Sequence, residues 1–148
     1  MPLAFRNVDV SPADPVTTWP YEALVTAMER GLVADWQPVI AEVRRRPWGP
    51  VARAVDDYCA APAAEPDAAA FFRLVVARAR SDAEAAERAQ VAAKVTRAIR
   101  RSGMPRAEFA RAVGTSASRL STYATGAVTP SAAMLLRIEA AGRSASGS

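Results

Sequence analysis

The sequence predicts an all-α chain: a helical N-terminal domain joined by a long helix to a C-terminal domain built on two short helices and a tight turn. Three observations predict it. Apolar residues recur at helical spacing, as in Tyr21-Leu24-Val25-Met28 and Phe109-Ala110-Val113. The 148 residues are 51% hydrophobic, but alanine supplies much of that, which suits closely spaced helices better than an aromatic-rich core. Charge divides the chain: residues 1–92 hold ten arginines against thirteen acids, net −3. Residues 93–148 hold nine Lys/Arg against Glu108 and Glu139, net +7. One basic end beside a mildly acidic remainder points to nucleic acid at that end only.

In chain order, residues 1–18 contain three prolines and few apolar anchors, and read as an irregular arm. Trp19-Pro20 opens the first helix and Gly31 stops it. Asp35 is the expected N-cap of a second helix, with Pro38 still in its first turn, apolar positions Trp36, Val39, Ile40 and Val43, and a closing Arg44-Arg45-Arg46. Pro47-Trp48-Gly49-Pro50 is a firm break, and Trp48 is expected as a core plug. A third helix follows over Val51–Ala60, and 61–66 is a Pro/Ala connector. From Asp67 begins the longest helix, whose Phe71, Phe72, Leu74, Val75 and Val76 are apolar on nearly all sides. They should be buried against the first three helices or a second subunit. Residues 77–97 are alanine-rich with interleaved charges, including Glu84–Arg88 at i, i+4, and describe an exposed connecting helix. A bend or fresh N-cap is expected near Ser81-Asp82. The helix should end at Arg101-Ser102-Gly103, and residues 142–148 should be a disordered tail. The domain boundaries expected are therefore 1–18, 19–80, 81–141 and 142–148.

The stretch Arg106 to Thr125 carries the most information. Phe109, Ala110 and Val113 make one apolar stripe, and Gly114 then accepts the positive φ of a sharp helix exit. Thr115 and Ser116 offer hydroxyls to cap the next helix, whose buried side is Leu120, Tyr123 and Ala124. These are the needs of a helix-turn-helix.

Several functions are disfavoured. No run of eighteen apolar residues exists to span a membrane, and the N-terminus lacks a charged-then-apolar signal, so a cytoplasmic location is expected. The chain has no histidine, which removes the commonest general base, triad partner and zinc ligand together. Asp56-Asp57 point to different helix faces. Cys59 alone forms no internal disulfide and reads as a small buried hydrophobe. Neither common Gly-rich phosphate loop is present. An enzyme, a metal and a cofactor are not expected.

The segment from about Val95 to Ala141 resembles the lambda-repressor-like, Cro-type (XRE) helix-turn-helix family of DNA-binding domains. The residues that carry the resemblance are Gly103-Met104-Pro105, Glu108-Phe109-Ala110, Val113-Gly114-Thr115-Ser116, Leu120-Ser121, Gly126, and Pro130-Ser131 leading into Leu135 and Ile138. The resemblance implies that the second motif helix enters the major groove of double-stranded DNA with Ala117, Ser118, Arg119 and Thr122 toward the bases. Arg119 alone among them can bond guanine bidentately, so it is expected to carry most of the discrimination. Phosphate contacts are expected at Arg106, Thr115, Ser116, Ser121 and Thr125. Arg97, Arg100, Arg101 and Arg111 lie near. Many members pair an arginine four residues before the first glycine with a glutamate two before the loop glycine. Here those positions are Ile99 and Ala124, a coherent apolar replacement that strands no charge.

The resemblance further implies a homodimer on a two-fold operator, with the N-terminal helices as an association module. The leading expectation is a sequence-specific transcriptional regulator, a repressor. One alternative keeps the DNA-binding end and makes the N-terminal domain bind a toxin, giving an antitoxin that represses its own operon. A second alternative is a helical interaction protein without specific DNA binding.

Overall fold

The computed structural model of the chain describes residues 3–6 and 8–144. It is all-α: seven α-helices and one short 3-10 turn, with no strand among the described residues. The helices are α1 (Tyr21–Arg30), α2 (Val33–Arg45), α3 (Pro50–Ala60), α4 (Pro66–Ser102), α5 (Arg106–Val113), α6 (Ala117–Thr125) and α7 (Ala132–Ser144). No helix among the described residues is long and apolar enough to cross a membrane. The chain divides into two compact units, Met1–Ala83 and Glu84–Ser148, and the 37-residue α4 contributes to both.

The N-terminal unit packs α1, α2, α3 and the first part of α4 around Leu24, Met28, Val39, Val43, Val55, Tyr58, Phe72 and Val76, each at most 3% exposed. Two indole N–H groups tie elements of this unit together: Trp19 Nε1 donates to the Asp14 carbonyl of the preceding loop and Trp36 Nε1 of α2 to the Ala27 carbonyl of α1, both at 3.0 Å. The segment before α1 is irregular as expected, apart from the 3-10 turn Val16–Thr18, but it is better anchored than expected. Leu3, Phe5, Val8 and Val10 pack on the core, Val16 is buried, and Phe5 sits edge-on to Trp19 with ring centroids 5.0 Å apart. Prolines deny this segment regular structure, yet its scattered apolar residues still anchor it.

Other expectations are corrected here. α2 begins at Val33, so Asp35 is its third residue; its Oδ2 accepts the Leu32 N–H at 2.7 Å instead of capping the helix as its first residue. Pro38 consequently lies inside α2 and removes an N–H partner from the carbonyl of Ala34, an exposed residue that water can solvate. Gly31 ends α1 with φ −73°, not in the left-handed region. Its need for glycine is spatial, because a Cβ there would collide with the carbonyl oxygen of Ala27. Trp48 is 48% exposed, while Pro47 is buried and its carbonyl is held by Arg80 Nε at 2.9 Å. In α4, Phe72, Val76 and Ala79 at i, i+4, i+7 take the inward stripe. Leu74, 200° round the helix from Phe72, is left 70% exposed, and Phe71 flanks the stripe against Trp36. The connector supplies an unforeseen cap: both carboxylate oxygens of Glu65 accept amides of the first turn of α4, from Asp67 at 3.1 Å and Ala68 at 2.7 Å.

α4 runs without interruption past Ser81-Asp82. Asp82 caps nothing and pairs with Arg78 at 3.1 Å. Residues 84–90 are exposed on every side, as expected of a connecting stretch.

The C-terminal unit closes over a smaller core of Val95, Ala98, Phe109, Ala110, Val113, Leu120, Tyr123 and Ile138. Ile99 and Ala124 both pack against this cluster, consistent with an apolar pair needing no charge partner. The tail is shorter than expected: Gly142–Ser144 continue α7, and Gly142 is buried. A Cβ on it would lie 2.9 Å from the Cα and Cβ of Ala98, so only glycine lets α7 approach α4 this closely. Residues 145–148 lie outside the described residues.

Candidate nucleic-acid interface

α5 ends in a left-handed glycine. Gly114 has φ 81°, its N–H reaches the Arg111 carbonyl at 3.1 Å, and the Thr115 N–H reaches that of Ala110 at 2.9 Å. That pair of bonds satisfies two of the last carbonyls of α5 and reverses the chain. Ser116 then caps α6, its Oγ accepting the Arg119 N–H at 3.1 Å. Both devices are those anticipated for Gly114 and Ser116.

The opposite faces of α6 differ completely. Leu120 and Tyr123 are buried at 0% and 5%, while Ala117, Ser118 and Arg119 at its N-terminal end are exposed. Thr122 is half-buried on the same outer side. Ser116, Ser118, Arg119, Thr122 and Val128 line one shallow concavity. Val128 went unnoticed in the sequence; its N–H donates to the Thr122 carbonyl at 3.1 Å, which folds the loop after α6 back beside the helix. At 44% exposure it offers a methyl surface next to the polar group.

Hydrogen bonds set what each side chain offers. Arg119 Nε donates to Tyr123 Oη at 3.0 Å, so its stem is laid along α6 and its terminal NH2 groups remain to bond an acceptor. Tyr123 is therefore a positioning residue that the sequence showed only as core. The Thr122 hydroxyl donates to the Arg119 carbonyl at 2.6 Å, so toward an external group it acts as an acceptor. Among the described residues the Ser118 hydroxyl has no hydrogen-bond partner, so it can serve either way.

Around this face lie the residues expected to meet phosphate. Arg106, at the start of α5, donates through Nη1 to Ser121 Oγ at 3.2 Å, which brings these two together across the helix pair. Ser116 caps α6 through its oxygen and keeps its hydroxyl proton to donate; Thr115 is half-buried in the turn. Thr125 is used differently: its hydroxyl donates to the Thr122 carbonyl at 3.3 Å and accepts the Ala127 N–H at 3.4 Å, closing the turn at Gly126. Among the described residues no group of three His, Cys, Asp or Glu could hold a metal ion. Cys59 lies in the other unit, its Sγ 3.4 Å from the Ala69 carbonyl, and burial raises its thiol pKa. Comparison of the chain with protein-family models, with curated proteins and with solved structures finds no match.

Proposed function

We propose that the chain is a sequence-specific DNA-binding transcriptional regulator, a repressor, whose C-terminal unit is a lambda-repressor-like helix-turn-helix domain and which acts as a homodimer on a two-fold operator. The observation that carries this reading is the α5–Gly114–Ser116–α6 arrangement, with the outer N-terminal face of α6 presenting Ala117, Ser118, Arg119 and Thr122 beside Val128. A helix so capped and so exposed suits insertion in a major groove. Its chemistry suggests the code. Arg119 bonds guanine, Thr122 accepts from the amino group of adenine or cytosine, and Val128 with Ala117 meets thymine methyls. Arg106, Ser116, Thr115 and Ser121 hold phosphates at its border, and the +7 balance of residues 93–148 supports a polyanionic partner.

A single small domain makes few contacts, so a second copy is expected, associated through the N-terminal unit. The exposed Leu74 (70%), Leu32 (70%) and Val33 (62%) of that unit favour a protein partner there. A toxin held by the same unit, making the chain an antitoxin, is the second reading.

The test is recovery and sequencing of the fragments that the purified full chain binds from sheared genomic DNA. A narrow, two-fold-symmetric site supports the proposal, and featureless recovery overturns the specific reading. Arg119→Ala should then cost about 1–3 kcal/mol at one base position, whereas uniform weakening would make Arg119 a phosphate clamp. Stoichiometric co-purification with a neighbouring gene product would favour the antitoxin. An affinity indifferent to salt would leave an interaction module without DNA contact.

A further inference from the structure

The C-terminal unit carries a second cationic locus, away from the outer face of α6. Lys94, Arg97 and Arg101 recur on α4 at i, i+3 and i+7, which is one helix face. With Arg143, Glu139 and Gly142 of α7 they line a cavity of about 80 Å³. That is room for an oxyanion and well below the ~300–1,000 Å³ of a drug-sized pocket. A different side of α4, at Ala92 and Thr96, meets the end of α6, where Thr96 Oγ1 donates to the Ala124 carbonyl at 3.4 Å. The two faces adjoin at Arg97, which borders both, while Lys94, Arg101 and Arg143 border the α4–α7 cavity alone.

The composition of the cavity names its ligand. One carboxylate, Glu139, sits 3.5 Å from Lys94 and is 29% exposed. Among the described residues Arg97, Arg101 and Arg143 have no side-chain hydrogen-bond or ion-pair partner, so three guanidinium forks face the cleft to be matched. Forks in this number match the several oxygens and double charge of a phosphate group better than a lone carboxylate. The cleft is also built. Gly142 brings the backbone of α7 against Ala98, which places Arg143 and Glu139 beside the α4 cations, and a side chain at 142 would force the helices apart.

The geometry points to a phosphate-binding site in the α4–α7 cleft, held by Arg97, Arg101 and Arg143 with Lys94, distinct from the helix-turn-helix face. The phosphate comes either from the backbone of bound nucleic acid or from a free phosphorylated molecule. Both sources share the same chemistry, and the site does not depend on the DNA-binding reading.

Calorimetric titration of inorganic pyrophosphate into the full chain tests it without DNA. Saturable binding is expected, weakened about tenfold or more in R97Q/R101Q/R143Q and retained in R88Q/R111Q/R137Q. The latter removes the same charge from exposed positions elsewhere in the unit. Circular dichroism confirms that both variants fold. Equal weakening in the two variants, or no saturable binding to the parent chain, overturns the site. With binding established, the salt dependence of DNA affinity separates the sources. A slope reduced by about 0.9 per contact in R97Q/R101Q/R143Q assigns the phosphate to DNA. An unchanged slope, or a chain that binds no DNA, assigns it to a free phosphorylated molecule.

Discussion

The two units solve the same packing problem with different materials. The N-terminal unit uses large rings and polar ties: Trp36, Phe71 and Phe72 cluster with centroids 5.1–5.8 Å apart, and Arg80 holds both Asp56 and the Pro47 carbonyl. The C-terminal unit has one phenylalanine, Phe109, and brings backbones close at Gly142 against Ala98, while its left-handed glycines at 103, 114 and 126 turn the chain between helices. Rings fill space that a neighbour can partly reclaim. A backbone-to-backbone contact has nothing to yield. Loss of a buried ring should therefore cost either unit, whereas gain of volume should cost most where backbones meet, at Gly142 on Ala98 in the second unit and at Gly31 on Ala27 in the first.

The largest effects sharpen the independence of the two cores. Phe72→Ala and Phe109→Ala each empty a fully buried site and should cost about 3–5 kcal/mol. All three tryptophans, Trp19, Trp36 and Trp48, belong to the N-terminal unit. Tryptophan fluorescence should follow the loss in Phe72→Ala and ignore that in Phe109→Ala, which only the helical circular dichroism signal will report. A fluorescence transition displaced by Phe109→Ala would mean that the units unfold as one.

Next comes the gain of volume. Gly142→Ala should cost about 1–3 kcal/mol in the C-terminal unit, measured by denaturant unfolding. An equal cost from Ala52→Val in α3, where the N-terminal core is also fully buried, would erase the special cost of backbone contact.

A polar tie of the first unit gives a pH signature. Tyr58 Oη donates to Glu29 at 2.8 Å and accepts the Glu65 N–H at 3.0 Å. Burial first, then the bond to Glu29, pushes its pKa up from 10.0 to about 12. The folded state holds this proton more tightly than the unfolded state. Stability from Tyr58 is thus fully present below pH 10 and is lost as pH rises from 10 to 12. Tyr58→Phe should cost about 1–2 kcal/mol at neutral pH and flatten that alkaline loss. Thermal melts across the window decide it. The smallest effect belongs to the second unit: Ser116→Ala should cost about 1 kcal/mol through the lost cap, seen in the same melts at pH 7.

What was legible in the sequence follows from range. Gly114 and Ser116 act within four residues of themselves, so the turn between α5 and α6 could be read letter by letter. The inner faces of α5 and α6 were legible for the same reason, each being a short stripe. Trp48 and Leu74 were misread because hydrophobicity states what a side chain would prefer, while the partner helices decide which stripe is covered. Gly142 looked like the start of a tail, since nothing local reveals that Ala98 lies against it. In the candidate site, exposure of Ala117, Ser118 and Arg119 followed from helix phase. The Arg119–Tyr123 bond and the return of Val128 depend on rotamer and loop path, which spacing does not encode.

The middle of α4 has a consequence best put in helix–coil terms. Residues 84–90 touch no core, and a free peptide of that length would be mostly coil, because starting a helix carries a statistical weight of about 10⁻³. Here both flanks of the segment are already helical, at Phe72–Ala79 and at Val95–Ala98, so no new nucleus is needed and only propagation remains. Propagation is near neutral for alanine, glutamate, arginine and glutamine, the residues that fill this stretch. The rod is continuous because its ends are packed: either end alone suffices as a nucleus, and the centre frays to coil only when both are melted.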